Sequence, residues 1–107
     1  MVDLPAGRQA HYLEVEDMYY VYVLSSEKRK YIYVGLTKDL DRRVKEHQTG
    51  SEVTTRPYRP FTLILVEKFN TRIEAREREK YLKSGIGKEY LKVIINAQVA
   101  KLVDALP

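Results

Sequence analysis

With 107 residues the chain has room for one compact domain, and its net charge of +4 is unevenly placed: residues 18–95 carry 17 basic against 10 acidic side chains, a surplus of seven. The absence of cysteine excludes disulfides and thiolate-bound metal, and His11 and His47 stand too far apart in sequence to form a local zinc pair. The 44% hydrophobic content is divided among short runs, none of membrane-spanning length. The first residues lack the basic start and apolar block of a secretory signal, so a cytoplasmic address is expected. The local surplus of cations favours anionic partners, nucleic acid first, although a solubilising surface would have the same composition.

In chain order, Met1 to Asp17 combines Pro5, Gly7 and four acids without sustained periodicity and is expected to be a loose, dispensable extension. Tyr19 to Leu24 (YYVYVL) and Lys30 to Leu36 (KYIYVGL) are rich in aromatic and β-branched residues and flank a polar link, which predicts a β-hairpin. Alternation sets Tyr20, Tyr22 and Leu24 on one face of the first strand, and Tyr31, Tyr33 and Gly35 on one face of the second. A turn centred on Glu27-Lys28 then pairs Tyr22 with Tyr33, Leu24 with Tyr31 and Tyr20 with Gly35. The opposite face, Val21, Val23, Ile32 and Val34, is the predicted core face.

Asp39 to Gln48 reads as a helix capped by Asp39, with Leu40 and Val44 marking its buried stripe and Gly50 its stop. Arg43 and His47 lie four apart and so share a face. Ser51 to Pro60 (SEVTTRPYRP) is predicted as a loop and Phe61 to Phe69 as the third strand. Thr71 to Ser84 reads as the second helix, capped by Asn70 or Thr71 and stopped at Gly85, and Gly87 to Ile95 as a short third helix. Residues 96–107 carry Val99, Leu102, Val103 and Leu106 at helical spacing, suiting a docked amphipathic helix or an extension. The resulting order β-β-α-β-α-α with a three-stranded antiparallel sheet is an α+β fold; residues 18–95 form the expected domain.

Four features invite a chemical reading: the paired tyrosines, the Arg43/His47 helix face, Glu79 in the second helix, and the cationic surface. Singly, each has an ordinary structural explanation, since strand tyrosines usually pack in sheets and helix arginines are usually solvated. Glu79 could simply pair with Lys83, yet it shares the more apolar stripe with Ala75 and Leu82, where a carboxylate is costly without a cation. Together, Tyr20-Val21-Tyr22, Tyr33-Val34-Gly35, Arg43 ten residues after Tyr33, His47 four further on and Glu79 in a later helix closely resemble the signature of GIY-YIG nucleases. The likeness is nearest to the small stand-alone bacterial members, extends to the nuclease domain of the bacterial excinuclease, and covers roughly residues 18–95.

By this resemblance Tyr22 and Tyr33 match the tyrosines of the two signature elements and Gly35 the closing glycine. Arg43 matches the catalytic arginine, His47 a position often held by histidine or tyrosine, and Glu79 the glutamate that binds one Mg²⁺ or Mn²⁺. Tyr20 and Val21 depart from the glycine and isoleucine of the first element, and Asn96 is only a loose match to a later asparagine. The resemblance implies metal-dependent hydrolysis of phosphodiester bonds, with DNA the expected substrate and RNA also open, in repair or recombination. A tyrosine, pKa about 10, becomes a base at neutral pH only where cations favour its phenolate. Tyr33 is the expected base or water-orienting group, Tyr22 its hydrogen-bonded partner and His47 a helper in proton transfer. Lys38, Arg42, Arg56, Tyr58 and Arg59 are candidate backbone and base contacts. A non-catalytic nucleic-acid-binding module is the main alternative, and a protein-interaction piece using the apolar C-terminal segment a further one.

Overall fold

The computed structural model describes residues 18–104, and side chains as far as residue 98. The expected extension over residues 1–17, with His11, lies outside the described residues, as do residues 105–107. Three strands, β1 (Tyr19–Ser26), β2 (Ile32–Thr37) and β3 (Phe61–Phe69), and three helices, α1 (Leu40–Thr49), α2 (Arg72–Lys83) and α3 (Gly85–Asp104), follow one another as β-β-α-β-α-α, with a single 3₁₀ turn at Arg56–Tyr58 between α1 and β3. The sheet is antiparallel in the order β2-β1-β3, so β1 is central and β2 lies at an edge.

The hairpin register differs from the predicted one by two residues. Tyr22 faces Gly35, Leu24 faces Tyr33 and Tyr20 faces Thr37. Ser26 is the cause. Its Oγ accepts from the backbone N–H groups of Lys28 and Arg29 at 3.2 and 3.1 Å, and its own N–H reaches the Tyr31 carbonyl at 2.9 Å. The link is thereby a wider loop over residues 27–30 rather than a tight turn at Glu27-Lys28. A shift of two keeps every side chain on its predicted face. Gly35 leaves the space opposite Tyr22 that the ring occupies: a Cβ there would lie 2.5 Å from Tyr22 Cζ and Oη.

Between Val23 and Leu24 the pairing of β1 with β3 slips by one residue. This bulge lets odd-numbered residues of β3 serve both faces. Leu65 and Phe69 join Val21, Val23 and Val34 in a core covered by α2 and α3, whereas Phe61 joins Tyr22 and Leu24 on the other side. The first core is closed by Ala75 and Leu82 from α2 and Leu91 from α3, all fully buried.

Asp39 caps α1 as predicted, its carboxylate accepting from Arg42 N, and Gly50 ends the helix in the left-handed region at φ 88°. The buried stripe of α1 is not the predicted one: Leu40 and Val44 are half-buried, and the fully buried side chain is His47. Thr71 caps α2, which runs to Lys83 with Ser84 as its C-cap, one residue short of the predicted end and before the glycine predicted to stop it. The Ser84 hydroxyl donates to the Tyr81 carbonyl at 2.5 Å and accepts from Gly87 N at 3.2 Å, so one serine closes α2 and opens α3. Gly87 is small because a Cβ there would run into the Tyr81 carbonyl. The predicted short helix over 87–95 and residues 96–104 are one helix, α3, continuous across residue 95; the remainder of the expected C-terminal segment, with Leu106, and the side chains of Val99, Leu102 and Val103 lie outside what the structure describes.

Candidate active site

Tyr22, Tyr33, Arg43 and His47 meet where α1 crosses the tyrosine face of the sheet. Tyr22 is 1% exposed and His47 0%. Tyr22 Oη and His47 Nε2 are 2.9 Å apart, and His47 Nδ1 and Thr55 Oγ1 2.8 Å apart. The Thr55 hydroxyl donates to the Glu52 carbonyl at 3.5 Å. A Thr55 proton spent on that carbonyl would make Thr55 Oγ1 the acceptor of His47 Nδ1–H and leave Nε2 to accept from the Tyr22 hydroxyl, and this is the tautomer assigned to His47. Burial, reinforced by the nearby Arg43 cation, pushes the His47 pKa below its usual value and keeps the imidazole neutral at pH 7.

Tyr33 lies half-buried beside this chain, its ring centroid 4.7 Å from His47 and 6.1 Å from Tyr22. Burial raises the Tyr22 pKa well above the ordinary phenol value, with the Tyr33 phenol raising it further and Arg43 opposing the shift. Arg43 is anchored by Glu46 at 2.7 Å and approached by Glu52 at 3.7 Å. Burial disfavours its charge, but the hydrogen bond to Glu46 and the proximity of Tyr22 outweigh that, and its pKa is raised. The cluster thus places one fixed cation against two phenols and a neutral imidazole.

Glu79 stands apart. It is carried by α2 on the opposite side of the sheet, its side chain 9% exposed, with Oε1 paired to Arg76 and Oε2 to Lys83, both at 3.1 Å. No hydrogen bond or ion pair joins it to the tyrosine cluster among the described residues. Its carboxylate is of the donor class that a hard divalent cation takes, but both oxygens are occupied, so binding one would require Arg76 and Lys83, whose side chains are each about half exposed, to release them. No group of three or more His, Cys, Asp or Glu side chains gathers among the described residues, so a cation held at Glu79 would have this one carboxylate as its protein ligand from that set.

The candidate nucleic-acid contacts are scattered. Lys38 lies over the Tyr19 ring at 5.4 Å, and Arg42 pairs with Asp39 at 3.5 Å and Glu46 at 3.4 Å. Arg56 Nε donates to the Gly50 carbonyl at 2.7 Å and Arg59 Nη1 to the Thr49 carbonyl at 2.8 Å, so both arginines tie the loop to the C-terminal end of α1. Tyr58 stacks on Tyr31 at 3.7 Å. Three members of the cluster escape a reading of the sequence. Glu46 carries a usable signal, its spacing of three from Arg43 on a helix. Glu52 and Thr55 carry none, being polar residues in a polar loop.

The match to the GIY-YIG catalytic domain model extends over residues 18–90, and the chain belongs to that family. Within it the relatives are small. The chain is 33% identical over 79 residues to the UPF0213 protein of Staphylococcus saprophyticus, covering 73% of this chain and 95% of that one. It is 34% identical over 83 residues to that of Clostridium perfringens, 77% and 88% of the two chains, and 38% identical over 71 residues to that of the archaeon Haloquadratum walsbyi, 65% and 79%. The solution NMR structure of the UPF0213 protein from Bacillus halodurans aligns with 72% of this chain and 84% of that one at 35% identity and a TM-score of 0.46. Among the described residues no helix is long and apolar enough to cross a membrane.

Proposed function

We propose that this protein is a divalent-metal-dependent endonuclease that hydrolyses phosphodiester bonds in DNA, selecting its substrate by structure more than by sequence and acting in repair or recombination. The hydrogen-bonded line from Tyr22 through His47 to Thr55, with Arg43 and Tyr33 against it, carries this reading. Tyr33, the more accessible phenol, orients the attacking water and takes its proton. Its own proton passes to Tyr22 oxygen as the Tyr22 proton moves to His47 Nε2. The neutral imidazole is the terminal base of the relay, and Thr55 holds it in the required tautomer. Arg43 donates to a phosphate oxygen as negative charge builds there, a fixed cation whose placement needs no rearrangement during the reaction. Glu79 would hold the metal, which when bound supplies charge neutralisation at the phosphate.

The expected outcome is that the full chain nicks linear, flapped or branched DNA in Mn²⁺ or Mg²⁺, and that Glu79→Ala and Arg43→Ala each abolish cutting. Wild type as inert as both variants across all substrates refutes the assignment. A second reading, a non-catalytic nucleic-acid-binding module, is favoured by one observation: both oxygens of Glu79 are already neutralised by Arg76 and Lys83. It predicts binding that survives Glu79→Ala without metal-dependent cleavage.

A further inference from the structure

A groove of about 1060 Å³ follows the edge of the sheet at β2, walled on the other side by the end of α2 and by α3. Five cations line it, Arg29, Lys30, Lys83, Lys88 and Lys92, and no acidic side chain does. Among the described residues Lys92 is paired with Glu89 and Lys83 with Glu79, while Lys30 and Lys88 have no acidic partner. The floor is largely apolar: Tyr31, Ile32, Tyr33 and Ile95 supply partly exposed aromatic and aliphatic surface above the buried Val34 and Leu91, with Ser25 and Asn96 as its polar points. At one end Tyr31 stacks on Tyr58, with the Arg29 guanidinium 5.5 Å from the Tyr58 ring centre.

Because β2 is an edge strand, the groove reaches residues of both sheet faces. It is lined by Tyr33 from the tyrosine cluster and by Lys83, the ion-pair partner of Glu79, and so connects two groups that no hydrogen bond or ion pair joins among the described residues. A rim of cations calls for a polyanion, and an apolar, aromatic floor calls for unpaired bases. A duplex, whose bases are stacked inward, would use the rim and leave the floor uncovered, whereas a single strand satisfies both.

The geometry points to this groove as the channel for a single-stranded nucleic-acid segment leading to Tyr33, which makes single-stranded arms or flaps the substrate class. The assignment of Tyr33 as a reacting-site residue rests on the function proposed above. The strand's phosphates meet Lys30, Lys88 and Lys92, and its bases lie on Tyr31, Ile95 and the exposed part of Tyr33. None of the cations expected from the sequence to guide DNA, Lys38, Arg42, Arg56 or Arg59, lines this groove.

The test is fluorescence anisotropy with the full chain in EDTA, where no cleavage intervenes, using a labelled oligothymidylate of about 16 nucleotides and a hairpin duplex. The variant Lys30→Ala/Lys88→Ala/Lys92→Ala is compared with Lys45→Ala/Lys68→Ala/Lys80→Ala, which removes equal charge from exposed positions outside the groove. The groove variant should bind the single strand about tenfold more weakly or worse, with a log–log salt dependence shallower by about 2, some 0.7 per lysine. Its duplex affinity and melting temperature should match those of the control variant. Equal loss of single-strand binding in the two variants, or equal loss of duplex and single strand in the groove variant, overturns the channel and leaves the nuclease reading intact. A wild type that binds neither ligand at any salt overturns both.

Discussion

Gly35→Ala adds one methyl group at a position whose backbone is ordinary strand, so its consequence is steric. The new Cβ would lie 2.5 Å from Tyr22 Cζ and Oη and 2.8 Å from Cε1, against a comfortable carbon contact of about 3.5–4.0 Å. The ring must move by about 1 Å, but it is 1% exposed and its hydroxyl is held 2.9 Å from His47. Overpacking of this kind costs about 1–3 kcal/mol, and breaking the buried hydrogen bond to His47 about 1–3 more. A total near 3 kcal/mol lowers the melting temperature by roughly 15 °C in a domain this size. Urea titration and thermal melting followed by circular dichroism measure it. In a Tyr22→Leu background the aromatic atoms that clash are gone, and the same substitution should cost less than about 1 kcal/mol. Gly35→Ala within about 0.5 kcal/mol of wild type, or equally costly in both backgrounds, refutes the register that sets Tyr22 against Gly35.

Thr55→Val keeps the shape of a fully buried side chain but leaves His47 Nδ1–H without an acceptor, and should cost about 1–3 kcal/mol in urea unfolding while Thr55→Ser recovers most of it; a neutral Val variant contradicts the tautomer assigned to His47. Stability should also respond to pH at both ends. The depressed pKa of His47 means that the unfolded chain binds the proton more readily, so stability is full above about pH 6.5 and declines as pH falls from there toward the folded-state pKa. The raised pKa of Tyr22 acts in the opposite sense: its contribution is full below about pH 10 and declines as pH rises above it. Melting temperatures across pH 5–11 for wild type, His47→Gln and Tyr22→Phe check this, and a wild-type acid limb unchanged in His47→Gln shows that another group is responsible.

Much of the fold is written locally. The strands declare themselves by β-branched and aromatic runs, α1 by Asp39 and Gly50 at its ends, and α2 by Thr71, because caps and periodicity depend on neighbours a few residues away. The helix pattern likewise puts Arg43 and His47 on one face, and hairpin alternation puts Tyr22 and Tyr33 on another. Where local signals compete, a side-chain hydrogen bond can outrank the residue type that usually marks a boundary. The boundary drawn at Gly85 fails because Ser84 serves both helices it joins.

The hairpin divides along the same line. Alternation alone decides that Tyr22 and Tyr33 share a face, since side-chain direction has a period of two and survives the two-residue shift. Which of them meets Gly35 is settled by the Ser26 hydroxyl and by a ring that needs the missing Cβ. The bulge beside Leu24, which turns Phe61 toward the tyrosines and Leu65 away, has no periodic signature, because it exists only in the pairing of two distant strands. Thr55 reaches His47 for the same reason: the loop from α1 to β3 folds back over the helix, and only that closure turns an ordinary hydroxyl into the partner that orients the imidazole.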